Sequence, residues 1–509
     1  MARPNNAETG RSTLPPGAPW TGSVHSVGLV LVVLLAAGLR FHDLDRTSLW
    51  LDEAVSWQQA SKPFLEMIAA TARDNYPPLH NIILHVTMAL FGDGETALRA
   101  PSALLGVANV YVLYLLGSAL WDRTTGLIAA LLLTVSGFHV WYSTEARMYA
   151  LLAFTATLFV LTVVYATRRP NWLTLTGCAA AGTALLYSHV YGSFVFAGVN
   201  IVVLTALLLR NHWLAVDWKS WIAAQAVPVF LFLPWALILW GRAHHATESL
   251  AWIPEPTARF LLEQALEFGG VLSLGMLGSF ASLSLINLSA LFPRFWRKES
   301  ASSPTKAKSW LRADWQNAIL IGWLVAPISA AYLISVIGQP ILVAKYLICT
   351  LPALLLLAAR GLRLSNHSIP TMAVILGVVV LTALPDLLYD LLLRARDDNK
   401  DAAQEFSIRY RPSDRIFFIP SYASVPFQYY FRKPLADSRT YKEAADVSPT
   451  DLNIDRFWFV FIQRQADDAS EGMTLAERTH LMTFSLLLPQ LKMFLFERRD
   501  IGHREVGHS

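Results

Sequence analysis

The sequence predicts an α-helical protein that crosses a membrane about eleven times and ends in a small soluble α/β domain. Three observations carry that prediction. Of 509 residues, 54% are hydrophobic and only 15% charged, with 17 Trp, far more apolar than a soluble domain of this length requires. The apolar residues gather in runs close to the ~20 needed to span a bilayer, separated by short polar segments. From residue 394 onward the composition turns charged and mixed, as a water-exposed domain requires.

Residues 1–23, rich in Pro, Gly, Ser and Thr, read as a disordered tail. The run 24–41 follows as an uncleaved signal anchor, because no small-residue cleavage site precedes the polar loop. A long loop, 42–97, comes next. Within it, residues 62–73 carry Phe64, Leu65, Ile68 and Ala69 at helical spacing, which predicts an interfacial helix or a lid. Further spans are expected at 98–120, 124–142, 148–167, 172–187, 189–209, 219–240, 270–292, 317–337, 345–360 and 369–391. A polar loop at 293–316 interrupts them, with 298–308 expected as a flexible linker. The membrane domain thus occupies 24–393. In the soluble domain, 394–509, residues 401–408 read as a helix, 412–414 as a turn, 415–419 and 457–462 as buried strands, and 475–488 as a helix stopped by Pro489.

Orientation follows from the basic residues. About fifteen Lys and Arg fall in segments on one side, against about nine over a greater loop length on the other. This places the amino terminus in the cytoplasm of an inner-membrane protein, and the 42–97 loop and the C-terminal domain in the periplasm. Cys178 and Cys349 lie inside predicted spans, which argues against both a disulfide framework and a thiolate metal site. The net charge of +4 belongs mostly to cytoplasmic loops; it suits contact with anionic membrane lipids and, lacking a basic patch interleaved with aromatics, not nucleic acid. No repeat of fixed period is visible.

The chemistry-bearing residues concentrate on the predicted outer side. Asp52 and Glu53 follow the first span directly, flanked by Trp50 and Trp57 at headgroup depth. A carboxylate there can stay ionised and take a proton from a hydroxyl, whereas at the bilayer centre it would cost about 2.5–3.5 kcal/mol. A plainer alternative makes Glu53 a helix cap and leaves Asp52 solvated. The turn Tyr76-Pro77-Pro78-Leu79-His80 would aim Tyr76 or His80 in a fixed direction, or serve only as a connector. In Glu145-Ala146-Arg147-Met148-Tyr149, the acid and the Arg are two apart and do not face each other on a helix. An Arg in a short outer loop suits bidentate capture of a phosphate. Lys345, beside Tyr346, either snorkels to the interface or supplies a point charge to a phosphate. His189, between Tyr187 and Tyr191, can bond sugar hydroxyls or merely belong to an interface belt. His244, His245 and Glu248 make a poor metal site.

As a set, the Asp52-Glu53 pair, Tyr76 to His80, the Glu-x-Arg-x-Tyr motif at 145–149 and the Lys345-Tyr346 pair resemble the GT-C superfamily of polyprenyl-phosphate-sugar-dependent membrane glycosyltransferases. Among its members the set is most similar to the bacterial branch of protein mannosyltransferase-like enzymes, lipid A aminoarabinose transferases and rhizobial galacturonosyltransferases. The resemblance implies that Asp52 is the acid acting on the acceptor and Glu145 the second-loop carboxylate. It also implies substrate contacts for Glu53, Tyr76, His80, Arg147, Tyr149, His189, Lys345 and Tyr346. Many relatives carry Arg where this chain has Lys345. The expected partners are a polyprenyl-phosphate-sugar donor and a lipid, glycan or protein hydroxyl acceptor, with no cofactor and no metal. Two rivals remain open at this point. One is a polysaccharide polymerase or ligase using an undecaprenyl-diphosphate donor, which calls for more outer arginines. The other is a transporter or flippase, which calls for charged residues at mid-span.

Overall fold

The computed structural model describes residues 20–74, 76–209, 214–242, 250, 252–269, 278, 281–285, 304–364, 368–393, 398–462 and 473–499. The membrane domain opens with α1 (Trp20–Phe41), then the loop helices α2 (Leu51–Ala60), α3 (Phe64–Ala72) and α4 (Leu79–Phe91). There follow α5 (Glu95–Leu120), α6 (Arg123–Val135), α7 (Gly137–Ser143), α8 (Tyr149–Arg168), α9 (Trp172–Ser188), α10 (Val190–Leu208) and α11 (Trp218–Arg242). Further helices run over Ala258–Gly269, Pro304–Ile337, Leu351–Leu364 and Ile369–Leu388, with a 3-10 turn at Ala344–Thr350.

Among the described residues, eight helices are long and apolar enough to cross a membrane, or nine if α6 and α7 count as one broken span. The protein is a multi-pass membrane protein. Its span count differs from the sequence expectation for physical reasons. The segment 124–142 is not one rod but two helices bent by 66°. The segment 172–187 forms the 17-residue α9, shorter than the other spans, whereas the span expected at 345–360 is present as Ala344–Leu364. Most of 270–292 lies outside the described residues, as do residues 1–19, 293–303, His244, His245 and Glu248. The linker expected at 298–308 is helical from Pro304, where a 34-residue helix begins.

The break between α6 and α7 frees carbonyls that a bilayer cannot hydrate. Arg40, fully buried at the end of α1, supplies the donors: its Nη2 reaches the Leu133 carbonyl at 3.1 Å and His139 Nδ1 at 2.9 Å, and its Nη1 the Thr134 carbonyl at 3.4 Å. Ser136 Oγ caps α7 by accepting from the His139 N–H. This pinned elbow directs α7 into the loop 144–148. On the same side, Asn81 of α4 donates to Gln59 of α2 at 2.7 Å and to Thr71 of α3 at 2.8 Å, tying the loop helices together.

The C-terminal domain is a five-stranded sheet in the order β2-β1-β3-β5-β4. β1 (Arg415–Ile419) lies parallel to both β2 (Asp437–Thr440) and β3 (Arg456–Ile462); β5 (Leu491–Arg498) runs antiparallel to β3 and to β4 (His480–Leu487). Strand alternation builds two cores. Ile416, Phe418, Trp458 and Val460 pack under the helices Asn399–Arg409 and Ser424–Tyr430, while Phe417, Ile419, Phe457 and Phe459 fill the other face. The helix expected over 475–488 extends only to residue 477, and residues 480–487 are corrected to strand β4. Pro489 does not end a helix but sits in the tight turn of a hairpin, closed by the Leu488 N–H on the Leu491 carbonyl at 2.9 Å.

Candidate active site

Asp52 and Glu53 open α2 as its second and third residues, and the helix turns them in different directions. Glu53 is fully buried. Its carboxylate takes Arg99 Nε at 2.8 Å and Nη2 at 2.7 Å, and also the Ala146 N–H at 2.8 Å. Arg99 spends its remaining donors on the carbonyls of Leu44, Thr47 and Ser48. A substrate contact was expected of Glu53; the structure instead commits both of its oxygens to protein donors, and the Arg99–Glu53 fork locks α2 to α5 and to the loop carrying Arg147.

Asp52 keeps 30% of its side chain exposed and faces two cations. Lys345 Nζ lies 3.5 Å and Arg147 Nη2 3.9 Å from Asp52 Oδ2. These three residues come from α2, the 144–148 loop and the turn at Ala344–Thr350, so only the tertiary fold joins them. Arg147 is aimed by its Nη1, which donates to the Asp52 carbonyl at 3.2 Å and Ser56 Oγ at 3.0 Å. Its buried Nε has no hydrogen-bond partner among the described residues. Burial alone would weaken the Arg147 cation, yet the neighbouring Asp52 carboxylate raises its pKa, so it stays protonated.

An aromatic wall surrounds the cations. Lys345 Nζ stands 5.3 Å from the Trp50 ring, 5.0 Å from Trp252 and 5.6 Å from Tyr149. The Tyr76 ring lies 5.2 Å from the Arg147 guanidinium, and its hydroxyl meets that of Tyr346 at 2.7 Å. His189 closes this wall, with its ring centroid 5.3 Å from Tyr76 and 4.8 Å from Tyr346. Its Nδ1 accepts the Tyr191 N–H, capping α10, so the proton belongs on Nε2. That Nε2 is buried with no hydrogen-bond partner among the described residues. Burial first, then the positive charges of Arg147 and Lys345, push the His189 pKa down to about 3, leaving a neutral donor.

His80, expected beside the substrate, is buried with Nε2 on the Ala146 carbonyl at 3.1 Å, and so supports the loop backbone. Glu145 is buried in the bend between α7 and α8, at 2% exposure. Several contributors were not foreseen. Gln264 accepts the Ala344 N–H at 2.6 Å next to Lys345, and Glu267 accepts the Tyr142 hydroxyl at 2.9 Å. Nothing local in the sequence marks them. Arg99 did carry a signal: a charge at the head of an apolar span needs a partner.

A charged centre ringed by aromatics, at one end of a bundle whose long loop lies between its first two spans, is the arrangement compared with known proteins. The family model described as dolichyl-phosphate-mannose-protein mannosyltransferase matches residues 75–245. The solved structure of ArnT from Cupriavidus metallidurans bound to undecaprenyl phosphate has a TM-score of 0.57 at 14% identity, covering 94% of this chain and 98% of that one. Its apo form gives 0.59 at 15% identity. The Archaeoglobus fulgidus oligosaccharyltransferase AglB, in complex with an inhibitory peptide and a dolichol-phosphate, gives 0.55 at 12% identity over 94% of this chain and 74% of that one. The chain shares the fold of these solved structures, and the family model matches 171 of its 509 residues. No curated protein sequence matches it. The family-model match takes in Tyr76, His80, Glu145, Arg147, Tyr149 and His189, while Asp52, Glu53, Lys345 and Tyr346 lie outside it.

Proposed function

We propose that this chain transfers a sugar from a polyprenyl-phosphate donor to a hydroxyl acceptor at the outer face of the cytoplasmic membrane, with inversion at the anomeric carbon. The orientation that this requires puts the Asp52 side and the C-terminal domain in the periplasm, as the basic residues of the loops indicate. The observation that carries the proposal is the pairing of the partly exposed Asp52 carboxylate with Lys345 and Arg147, two cations brought together from distant segments.

A donor phosphate offers these cations a second anion. When it binds, Lys345 and Arg147 are drawn from Asp52 toward the phosphate oxygens, and the Asp52 carboxylate becomes available to an acceptor hydroxyl. Asp52 then takes the acceptor proton as the new C–O bond forms. The bond to the phosphate breaks, and the departing phosphate monoester keeps the electron pair and is stabilised by the two cations. The neutral Nε2–H of His189 is a donor to a sugar or phosphate oxygen. Tyr76, Tyr149 and Tyr346 supply apolar faces for the sugar ring and hydroxyls at its edge. Glu145 is assigned to the acceptor side as a second carboxylate.

Asp52→Asn keeps the shape of the side chain and removes the base. Transfer from a radiolabelled polyprenyl-phosphate sugar in membranes should fall by about 10² or more, with the variant folded as judged by its melting profile. An Asp52→Asn variant of full activity removes the base assignment, and a product that retains the donor's anomeric configuration removes single displacement.

A further inference from the structure

The C-terminal domain supplies no group to the chemistry above, yet it grips the helix that carries Asp52. α2 has only ten residues, too few to hold itself in water, and its start is fixed from outside. Tyr430, at the end of the helix Ser424–Tyr430, accepts the Leu49 N–H at 2.7 Å, three residues before Asp52. The same hydroxyl donates to Glu95 Oε1 at 2.5 Å. Glu95 opens α5 and also receives Lys400 Nζ at 3.0 Å, while the Lys400 backbone N–H reaches Ser48 Oγ at 3.1 Å.

A second set of contacts holds the far end of α2. The Tyr429 ring meets Trp57 edge-on at 5.0 Å, and its hydroxyl donates to the Asp93 carbonyl at 2.8 Å. The Asp93 carboxylate accepts from Trp57 Nε1 at 3.2 Å and from Arg432 at 3.0 Å. One buried cluster crosses the boundary between the domains, and it includes Leu49, Leu98, Tyr429 and Ala146, the residue between Glu145 and Arg147. The membrane domain, through Arg99, holds the carbonyl side of the chain entering α2; the soluble domain, through Tyr430, holds its N–H side.

Misplacing a reacting group by about 1 Å can cost on the order of 10² in rate. We propose that the C-terminal domain is a positioning element of the transfer site, with Tyr430 as the positioning residue that sets the start of the Asp52 helix. This rests on Asp52 being the base, so the test separates the two.

Tyr430→Phe and, as a second variant, Glu95→Gln are made in the full-length chain, and each is examined by amide hydrogen exchange and by transfer kinetics. Exchange at residues 49–54 should rise about three- to tenfold, with β1 and β3 unchanged. The turnover number should fall about tenfold while the donor KM stays within about twofold. A general loss of structure would raise exchange in β1 and β3 as well, and that result overturns the assignment. So does unchanged exchange at 49–54 in both variants, or raised exchange with full turnover. If Asp52→Asn is inactive while 49–54 stays protected in both variants, positioning by this domain fails and the base stands. If exchange rises locally and turnover falls while Asp52→Asn keeps full activity, α2 is held by the domain but the base lies elsewhere.

Discussion

Asp52 and Glu53 differ by one methylene and stand side by side, yet substituting them should have opposite consequences. Glu53 is enclosed with Arg99, and breaking a buried pair by removing one charge costs about 3–5 kcal/mol. Glu53→Gln should therefore lower the thermal midpoint of the purified protein sharply, whereas Asp52→Asn should leave it nearly unchanged and lower transfer by about 10² or more. Replacing both Glu53 and Arg99 with apolar residues should recover only part of the loss, because the carbonyls of Leu44, Thr47 and Ser48 would still lack their donor. The two buried histidines set a pH dependence. His80 and His189 are held near pKa 3, first by burial and then by the Arg147 charge, against about 6.5 in an unfolded chain. Above pH 6.5 both are neutral in either state and their contribution is complete. As pH falls from 6.5 toward 3, the unfolded chain takes protons that the fold refuses, costing up to about 1.4 kcal/mol per pH unit for each histidine. Asn is also a good helix cap, so His189→Asn should keep α10 capped and flatten the fall of the melting midpoint between pH 7.5 and 5. An unchanged slope would mean that His189 is protonated in the fold.

Between elements, contact distance does the positioning. α5 and α6 touch through Gly117 and Gly126; a Cβ on Gly117 would stand 2.7 Å from the Gly126 Cα, closer than backbone can accommodate. Gly117→Ala should push the helices apart and destabilise by about 1–3 kcal/mol, read as a lower melting midpoint, with a larger effect for Gly117→Val. A neutral Gly117→Val would show the two helices to be less closely apposed than described. Such contacts were invisible in the sequence, where Gly117 and Gly126 are two small residues in apolar runs. What the sequence did carry was whatever a single element decides: the apolar runs, the α3 helix, β1 and β3. The misread cases turn on partners. β4 is apolar at both helical and strand spacing, and pairing with β5 decides between them. The break in α6–α7 depends on Arg40 in α1, about a hundred residues away. The pairing of Glu53 with Arg99 likewise joins two residues that the sequence showed separately.

At the scale of the whole molecule, the fold makes the soluble domain and the Asp52 loop share one face, since Tyr430, Lys400 and Arg432 touch Leu49, Glu95 and Asp93 directly. The loop between α8 and α9 must lie on the other face, because α8 starts next to Arg147 and crosses the bundle to Arg168. Single cysteines test this without reference to activity, provided that Cys178 and Cys349 stay silent, which their burial favours. Lys62→Cys, after α2, and Lys433→Cys, in the C-terminal domain, are both exposed positions and should react with an impermeant thiol reagent added from the same side of sealed vesicles. Arg169→Cys, also exposed, should react only from the opposite side. Labelling of positions 62 and 433 from different faces would break the contact between the soluble domain and α2, and the positioning role argued for Tyr430 would go with it. If all three follow the fold and positions 62 and 433 face the periplasm, the proposed transfer requires its polyprenyl-phosphate donor to be presented on that outer leaflet. A flipping step must then precede transfer wherever the donor is made on the cytoplasmic side.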